Sequence, residues 1–302
     1  MSGPRSAQLI VAPVTALADG IRGTARTRDG LELRTLAWPA AGAPHARLLL
    51  VHGIAEHAGR HAHLAARLAL AGIEPHAYDL RGFGASGGRR AYVDRWSQYH
   101  DDLEDQLVAI HAAAARRPIV LYGHSMGGLI ALGYVLADPP RARPDLLVLS
   151  APAIAAVVAR WKRTLADALG RAMPRLEIAN DLPSGGLSRD PQVEVAYRAD
   201  PLNVHRTTAR LGMELFHEQA RVQARLARIS ALPVPTYVLH GSDDAIVPVS
   251  SSASLEGRAN VTRRVYAGLR HEMHNEPEAA AVIGDTLAWT LRSLPTGVAH
   301  SA

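Results

Sequence analysis

Apolar and polar positions alternate along this chain in two different rhythms. Leu31–Trp38 alternates as a strand with one buried face, and Arg47–His52, Pro118–Tyr122 and Asp145–Ser150 are the short apolar runs of strands buried on both faces. Glu74–Asp79 reads as a further strand. Between these runs the period lengthens. His61–Ala71 is helical and stops at Gly72, Gln98–Ala115 places Leu103, Leu107 and Ile110 on one helical face, and Leu129–Leu136 continues as a helix. Strands alternating with helices predict a mostly parallel sheet with helices on both faces.

The rhythm breaks at Ala151. Up to about Leu232 the pattern predicts no strong strand, only helical pieces at Ile154–Leu169, Val193–Tyr197 and Arg210–Ile229 around a Pro/Gly-rich loop, Leu182–Leu187. Alternation then resumes with strands at Thr236–His240 and Arg263–Ala267 and a final helix at Pro277–Leu294. The expected organisation is an α/β core over 1–150 and 233–302, with 151–232 inserted as a helical cap. Such an insert would cover the edge of the sheet at which open α/β folds bind ligands.

Composition narrows the partners. The 302 residues carry a formal charge of +5, but Lys162 is the one lysine and the arginines are scattered, without a basic arm or an aromatic stacking platform. Nucleic acid is therefore not an expected partner, while a modest attraction to anionic lipid surfaces is. The absence of cysteine removes disulfides, thiolate metal sites and a cysteine nucleophile. Leu9–Ala18 follows Arg5 and ends in Ala16-Leu17-Ala18, as a secretory signal would, but its apolar part is short and broken by Pro13. No stretch has the ~18 apolar residues of a membrane span. The expected location is cytoplasmic, peripheral to a membrane at most.

The chemistry concentrates at Gly123-His124-Ser125-Met126-Gly127-Gly128, directly after the Pro118–Tyr122 strand and opening a helix. That context suits a G-x-S-x-G nucleophile elbow, a turn tight enough to need glycine at both ends. It raises the Ser125 hydroxyl above the sheet, beside the free N–H groups of a helix N-terminus. A serine needs a histidine to take its proton, and in this layout the acid and then the histidine follow the serine in the chain. His271, just past the Arg263–Ala267 strand, is the candidate base; His205, His217, His240 and His274 are rivals by residue type. The loop Gly241–Pro248 offers two carboxylates, Asp243 and Asp244, of which one would orient the imidazole and the other serve a turn. Oxyanion donors are expected from the backbone N–H groups of Met126 and of Ile54, in His52–His57. His52 itself suits a loop-shaping role, as do the glycines and the Asp79–Arg81 pair of Asp79–Gly87. The cluster His271, Glu272 and His274 lacks H-E-x-x-H spacing, and neither metal nor cofactor is expected.

Five blocks, HGIAEHAGRH, DLRGFGASGG, GHSMGG, GSDDAIVP and LRHEMHNE, together with the stretch from Gly186 through Tyr197 to Asp200-Pro201-Leu202, resemble the monoacylglycerol lipases, the lysophospholipase-like branch of the α/β-hydrolase fold. The likeness runs from about Gly30 to Leu294. It implies a Ser125–Asp244–His271 triad, with Asp243 the alternative acid, and oxyanion donors at Ile54 and Met126. It also implies a glycerol head held near Glu56, Arg60, Tyr197 and His274, although Glu56 and Arg60 would equally brace the loop as an ion pair. His61 departs from the family, in which many members carry tyrosine there. The implied reaction is hydrolysis of monoacylglycerols to fatty acid and glycerol; a broader carboxylesterase, lysophospholipase or acyltransferase, or a silent lipid binder, would share the scaffold. Epoxide hydrolases and dehalogenases would place an aspartate at Ser125. The apolar stretches Ala153–Trp161 and Leu211–Phe216 are expected to pack on the core; by resemblance they would form a lid that touches a lipid surface.

Overall fold

A computed structural model describes residues 19–113, 117–155, 159–180 and 183–295. The signal-like stretch Leu9–Ala18 lies outside them, as do 114–115, 156–158 and Leu182 of the segments named above. The chain opens with an antiparallel hairpin, β1 (Ile21–Arg26) and β2 (Glu32–Ala37). It continues through β3 (Ala46–Val51), α1 (Ala62–Leu70), β4 (Ile73–Tyr78), α2 (Ser97–Ala113), β5 (Ile119–His124), α3 (Met126–Val135) and β6 (Leu146–Ser150). Next come α4 (Arg160–Ala172), β7 (Glu177–Ala179), α5 (Pro191–Ala199), β8 (Arg206–Thr208) and α6 (Ala209–Leu226). The last elements are β9 (Ala231–Gly241), β10 (Ala259–Tyr266) and α7 (Ala279–Ser293). Eight strands form one sheet in the order β1-β2-β4-β3-β5-β6-β9-β10. Only β1–β2 and β2–β4 pair antiparallel; the rest is parallel.

The apolar runs behave as strands covered on both faces. Leu49, Val51, Leu121, Leu147 and Leu149 join one core with α2, α3 and α6, while Leu48, Leu50, Val120, Tyr122 and Val148 join a second with α1 and α7. Period-2 alternation thus feeds two helix layers from a single strand, the reason for runs with no polar positions.

Among the described residues between β6 and β9, the elements are helices apart from one addition. The three-residue strands β7 and β8 pair antiparallel, with Ile178 opposite Thr207. They are too short to carry a periodic signal. α4 begins at Arg160, later than expected, because Ile154 is drawn fully into the core and Ala155 donates its N–H to Ser251 Oγ instead of entering a helix. α5 starts one residue after Asp190, whose carboxylate caps the Gln192 N–H, with Pro191 in the first turn. β9 starts at Ala231, ahead of Pro233 and Pro235.

Candidate active site

The loops that leave β3, β5, β9 and β10 at their C-terminal ends meet on one edge of the sheet. After β5 the chain turns so sharply that Ser125 has φ 53° and ψ −118°, a conformation that side chains rarely adopt and that this fold imposes through its surroundings. A Cβ on Gly123 would lie 2.5 Å from the Gly127 carbonyl oxygen, and one on Gly127 only 2.1 Å from that of Val51. The turn is held from outside as well, because the Ser125 N–H donates to the Ser150 carbonyl (2.9 Å) and the Ser125 carbonyl accepts from Ala153 (3.1 Å).

His271 follows β10 and donates from Nδ1 to Asp244 Oδ2 at 2.7 Å. The other Asp244 oxygen accepts the N–H groups of Ile246 (2.9 Å) and Val247 (2.8 Å), so the loop after β9 grips the carboxylate before it meets the imidazole. Burial alone would raise this carboxyl, but His271, His240 and the Val247 N–H outweigh it and hold the group well below its ordinary value. Burial alone would lower His271; the Asp244 charge and hydrogen bond overcome it and raise the imidazole above its usual range. Asp243 points elsewhere, accepting the Ser242 hydroxyl at 2.7 Å on the surface.

The rival histidines have other partners. His217 meets Asp167 at 2.5 Å, His205 packs edge-on against Tyr197, and His240, fully buried behind Asp244, faces the Val247 carbonyl and Ser252. His52 shapes its loop: Nε2 accepts the Leu80 N–H and Nδ1 donates to the Gly53 carbonyl. Burial lowers it to about 4, consistent with a neutral ring that accepts and donates at once.

A cavity of about 30 Å³ opens at Ser125 and His271, walled by Gly53, Ile54, Glu56, Arg60, Tyr197 and Glu272 among others. The N–H groups of Ile54 and Met126 have no hydrogen-bond acceptor among the described residues. For Met126 this follows from its place in the first turn of α3. Gly53 lets the β3 loop approach, since a Cβ there would sit 3.1 Å from Ser125 Cβ. Ala55, at φ 67°, accepts the Tyr197 hydroxyl on its carbonyl at 3.1 Å, tying this loop to α5.

Of the residues expected around the head group, Glu56, Arg60 and Tyr197 stand together in this wall. Glu56 Oε1 accepts the Gly53 N–H at 2.6 Å while Oε2 meets Arg60 Nη1 at 3.0 Å. The Arg60 guanidinium lies 4.8 Å above the Tyr197 ring. His274 does not line the cavity. It is buried behind it, stacked on His61 at 4.6 Å, with no partner on either ring nitrogen. Glu272, weighed in the sequence only as part of a cluster without metal-site spacing, binds Arg60 with both oxygens, at 2.5 and 2.8 Å. Its one sequence signal is an acidic side chain directly after His271; the arginine it meets stands 212 positions away.

Residues 42–278 match the family model described as serine aminopeptidase, S33. The chain is 36% identical over 264 residues to the monoacylglycerol lipase of Mycolicibacterium smegmatis, covering 85% of this chain and 92% of that one. It belongs to the monoacylglycerol lipase family of α/β-hydrolases. The crystal structure of the Paleococcus ferrophilus monoacylglycerol lipase superposes with a TM-score of 0.76 at 28% identity, over 86% of this chain and 99% of that one. A soluble variant of the Saccharomyces cerevisiae monoglyceride lipase in complex with a substrate analog shares the fold, with a TM-score of 0.80 at 22% identity over 97% and 100% of the two chains.

Proposed function

We propose that this chain hydrolyses the ester of monoacylglycerols to fatty acid and glycerol through an acyl-enzyme on Ser125. His271 Nε2 takes the Ser125 proton as Oγ attacks the ester carbonyl, and Asp244 stabilises the imidazolium that forms. The N–H groups of Ile54 and Met126 receive the oxyanion. His271 then hands the proton to the departing glycerol oxygen, and water removes the acyl group by the same route. The observation that carries this reading is the 2.7 Å bond from His271 to Asp244 beside a cavity that Ser125 also lines.

The polar wall of Glu56, Arg60 and Tyr197 suits the hydroxyls of a glycerol, with His274 supporting it from behind through His61. A peptide's free amino group would need an unpaired carboxylate, and both carboxylates in the wall are taken by Arg60. That favours the lipase reading over the peptidase in the family's description. The segment 151–232 then serves as the cap. Its outer side exposes Trp161, Leu165, Met173 and Ile178, which supports contact with a lipid surface, whereas Ile154, Leu211 and Met213 pack inward. Lys162 Nζ lies 5.6 Å from the Trp161 ring on this side. No described helix is long and apolar enough to cross a membrane.

A fluorophosphonate probe should label the wild-type chain, and Ser125→Ala should lose both the label and monoacylglycerol hydrolysis. Undiminished labelling of that variant would refute the assignment.

A further inference from the structure

Arg60 is the one cation among the residues that wall the cavity at Ser125, yet it is not open to a ligand anion. Glu272 takes both terminal guanidinium nitrogens, Nη1 and Nη2, in a two-pronged ion pair, and Glu56 takes a second contact on Nη1. All three side chains are almost fully withdrawn from solvent, Glu272 at 2%, Glu56 at 5% and Arg60 at 10% side-chain exposure. A fork-on-fork pair of this kind fixes the arginine in place and saturates the geometry through which it would otherwise clasp a phosphate. Asn275 Nδ2 donates to Glu272 Oε2 at 2.9 Å, and the Glu272 N–H donates to the Leu187 carbonyl at 2.8 Å, so the residue is held at both its carboxylate and its backbone.

The formal charges in this wall are two negative against one positive. His61 reaches Glu56 Oε1 with Nε2 at 3.2 Å. The apolar acyl chain gains nothing from these groups, so the polar part of the substrate faces them. Charge in a water-poor site is poorly screened, and a like charge brought there is strongly opposed.

Resting on the function proposed above, we infer that Glu272 is a specificity-determining residue that masks Arg60 and restricts the head group to uncharged polyols, rejecting acylglycerols that bear a phosphate. The selectivity is built by repulsion as much as by fit.

The experiment compares kcat/KM for short-chain, monomeric 1-acylglycerol and 1-acylglycerol 3-phosphate, with p-nitrophenyl butyrate as a substrate lacking a head group. Wild type should favour the neutral acylglycerol by at least about a hundredfold at low salt. Glu272→Gln keeps the shape and removes one negative charge; it should narrow that ratio by about tenfold or more, at low and at moderate salt alike, because salt screens a buried charge weakly. Arg60→Met removes the positive charge instead and should widen the ratio. Exclusion by size alone would leave the ratio the same in Glu272→Gln, and that result overturns the inference, as does equal use of both substrates by wild type. Where Glu272→Gln does not fold, Arg60→Met decides the matter: a ratio that does not widen overturns the inference. Turnover of p-nitrophenyl butyrate without turnover of either acylglycerol overturns the proposed function and this inference with it. Turnover of both acylglycerols at like rates overturns the inference alone.

Discussion

Asp244 uses its two oxygens for separate tasks, one to fix its own loop and one to orient His271. Because that negative charge raises the imidazole above its usual range, the neutral base needed for attack disappears at a higher pH than a free histidine would dictate. The acid limb of kcat/KM should therefore lie above pH 6.5. Asp244→Asn should move it to lower pH and cut kcat by roughly 10⁴, which a pH–rate profile of both proteins would read. Asp243→Asn should do neither. Ser125 was legible from its neighbours, because a G-x-S-x-G between a strand and a helix leaves little else for the chain to build. His271 was legible from its position after a strand. The choice of Asp244 over Asp243 rested on the family likeness alone, since two adjacent carboxylates differ only in which one the Ile246 and Val247 N–H groups face. Glu272 and Arg60 could not be paired in advance because their contact is purely tertiary.

Among the elements, the junction of β3, β5 and α3 is closed by glycines that stand against backbone. A methyl on Gly127 would meet the Val51 carbonyl oxygen at 2.1 Å and that of His52 at 2.5 Å, atoms that cannot swing away. Gly127→Ala should cost more than the roughly 1–3 kcal/mol typical of an overpacked core and abolish activity. Gly212 in α6 and Gly284 in α7 have open space where a Cβ would go, and alanine at either should stabilise by up to about 1 kcal/mol. Chemical denaturation of the three variants separates the cases; a tolerated Gly127→Ala would contradict the geometry. The buried strands were readable because both faces are apolar. β1 was not: Ile21–Arg26 runs along the open edge of the sheet with a largely exposed, polar sequence, so burial left no trace in it. β9 was read only from Thr236 because Pro233 and Pro235 cannot donate to a ladder, yet β10 bonds there only at Ala231 before resuming at Thr236.

Across the whole molecule, several histidines are buried uncharged. Burial lowers His52 to about 4 and His100 to about 3, and it holds His124 and His274 well below their ordinary value. The unfolded chain takes up protons at these positions near pH 6.5, whereas the folded chain resists until the pH is much lower. Stability is therefore full above 6.5 and falls as the pH drops toward 4, by at most about 1.4 kcal/mol per pH unit for each ring. His271, raised instead, runs the other way. Urea denaturation at pH 7 and pH 5 should show a loss of more than about 2 kcal/mol, and equal midpoints would count against the buried neutral rings.

The sole lysine carries its own experimental use. Lys162 sits exposed at the start of α4, next to an exposed indole, so an amine-directed dye has one side chain to couple to. A fluorophore placed there would be quenched by Trp161 and sense any change in its surroundings, which turns the outer helix into an optical gauge of what happens when lipid arrives.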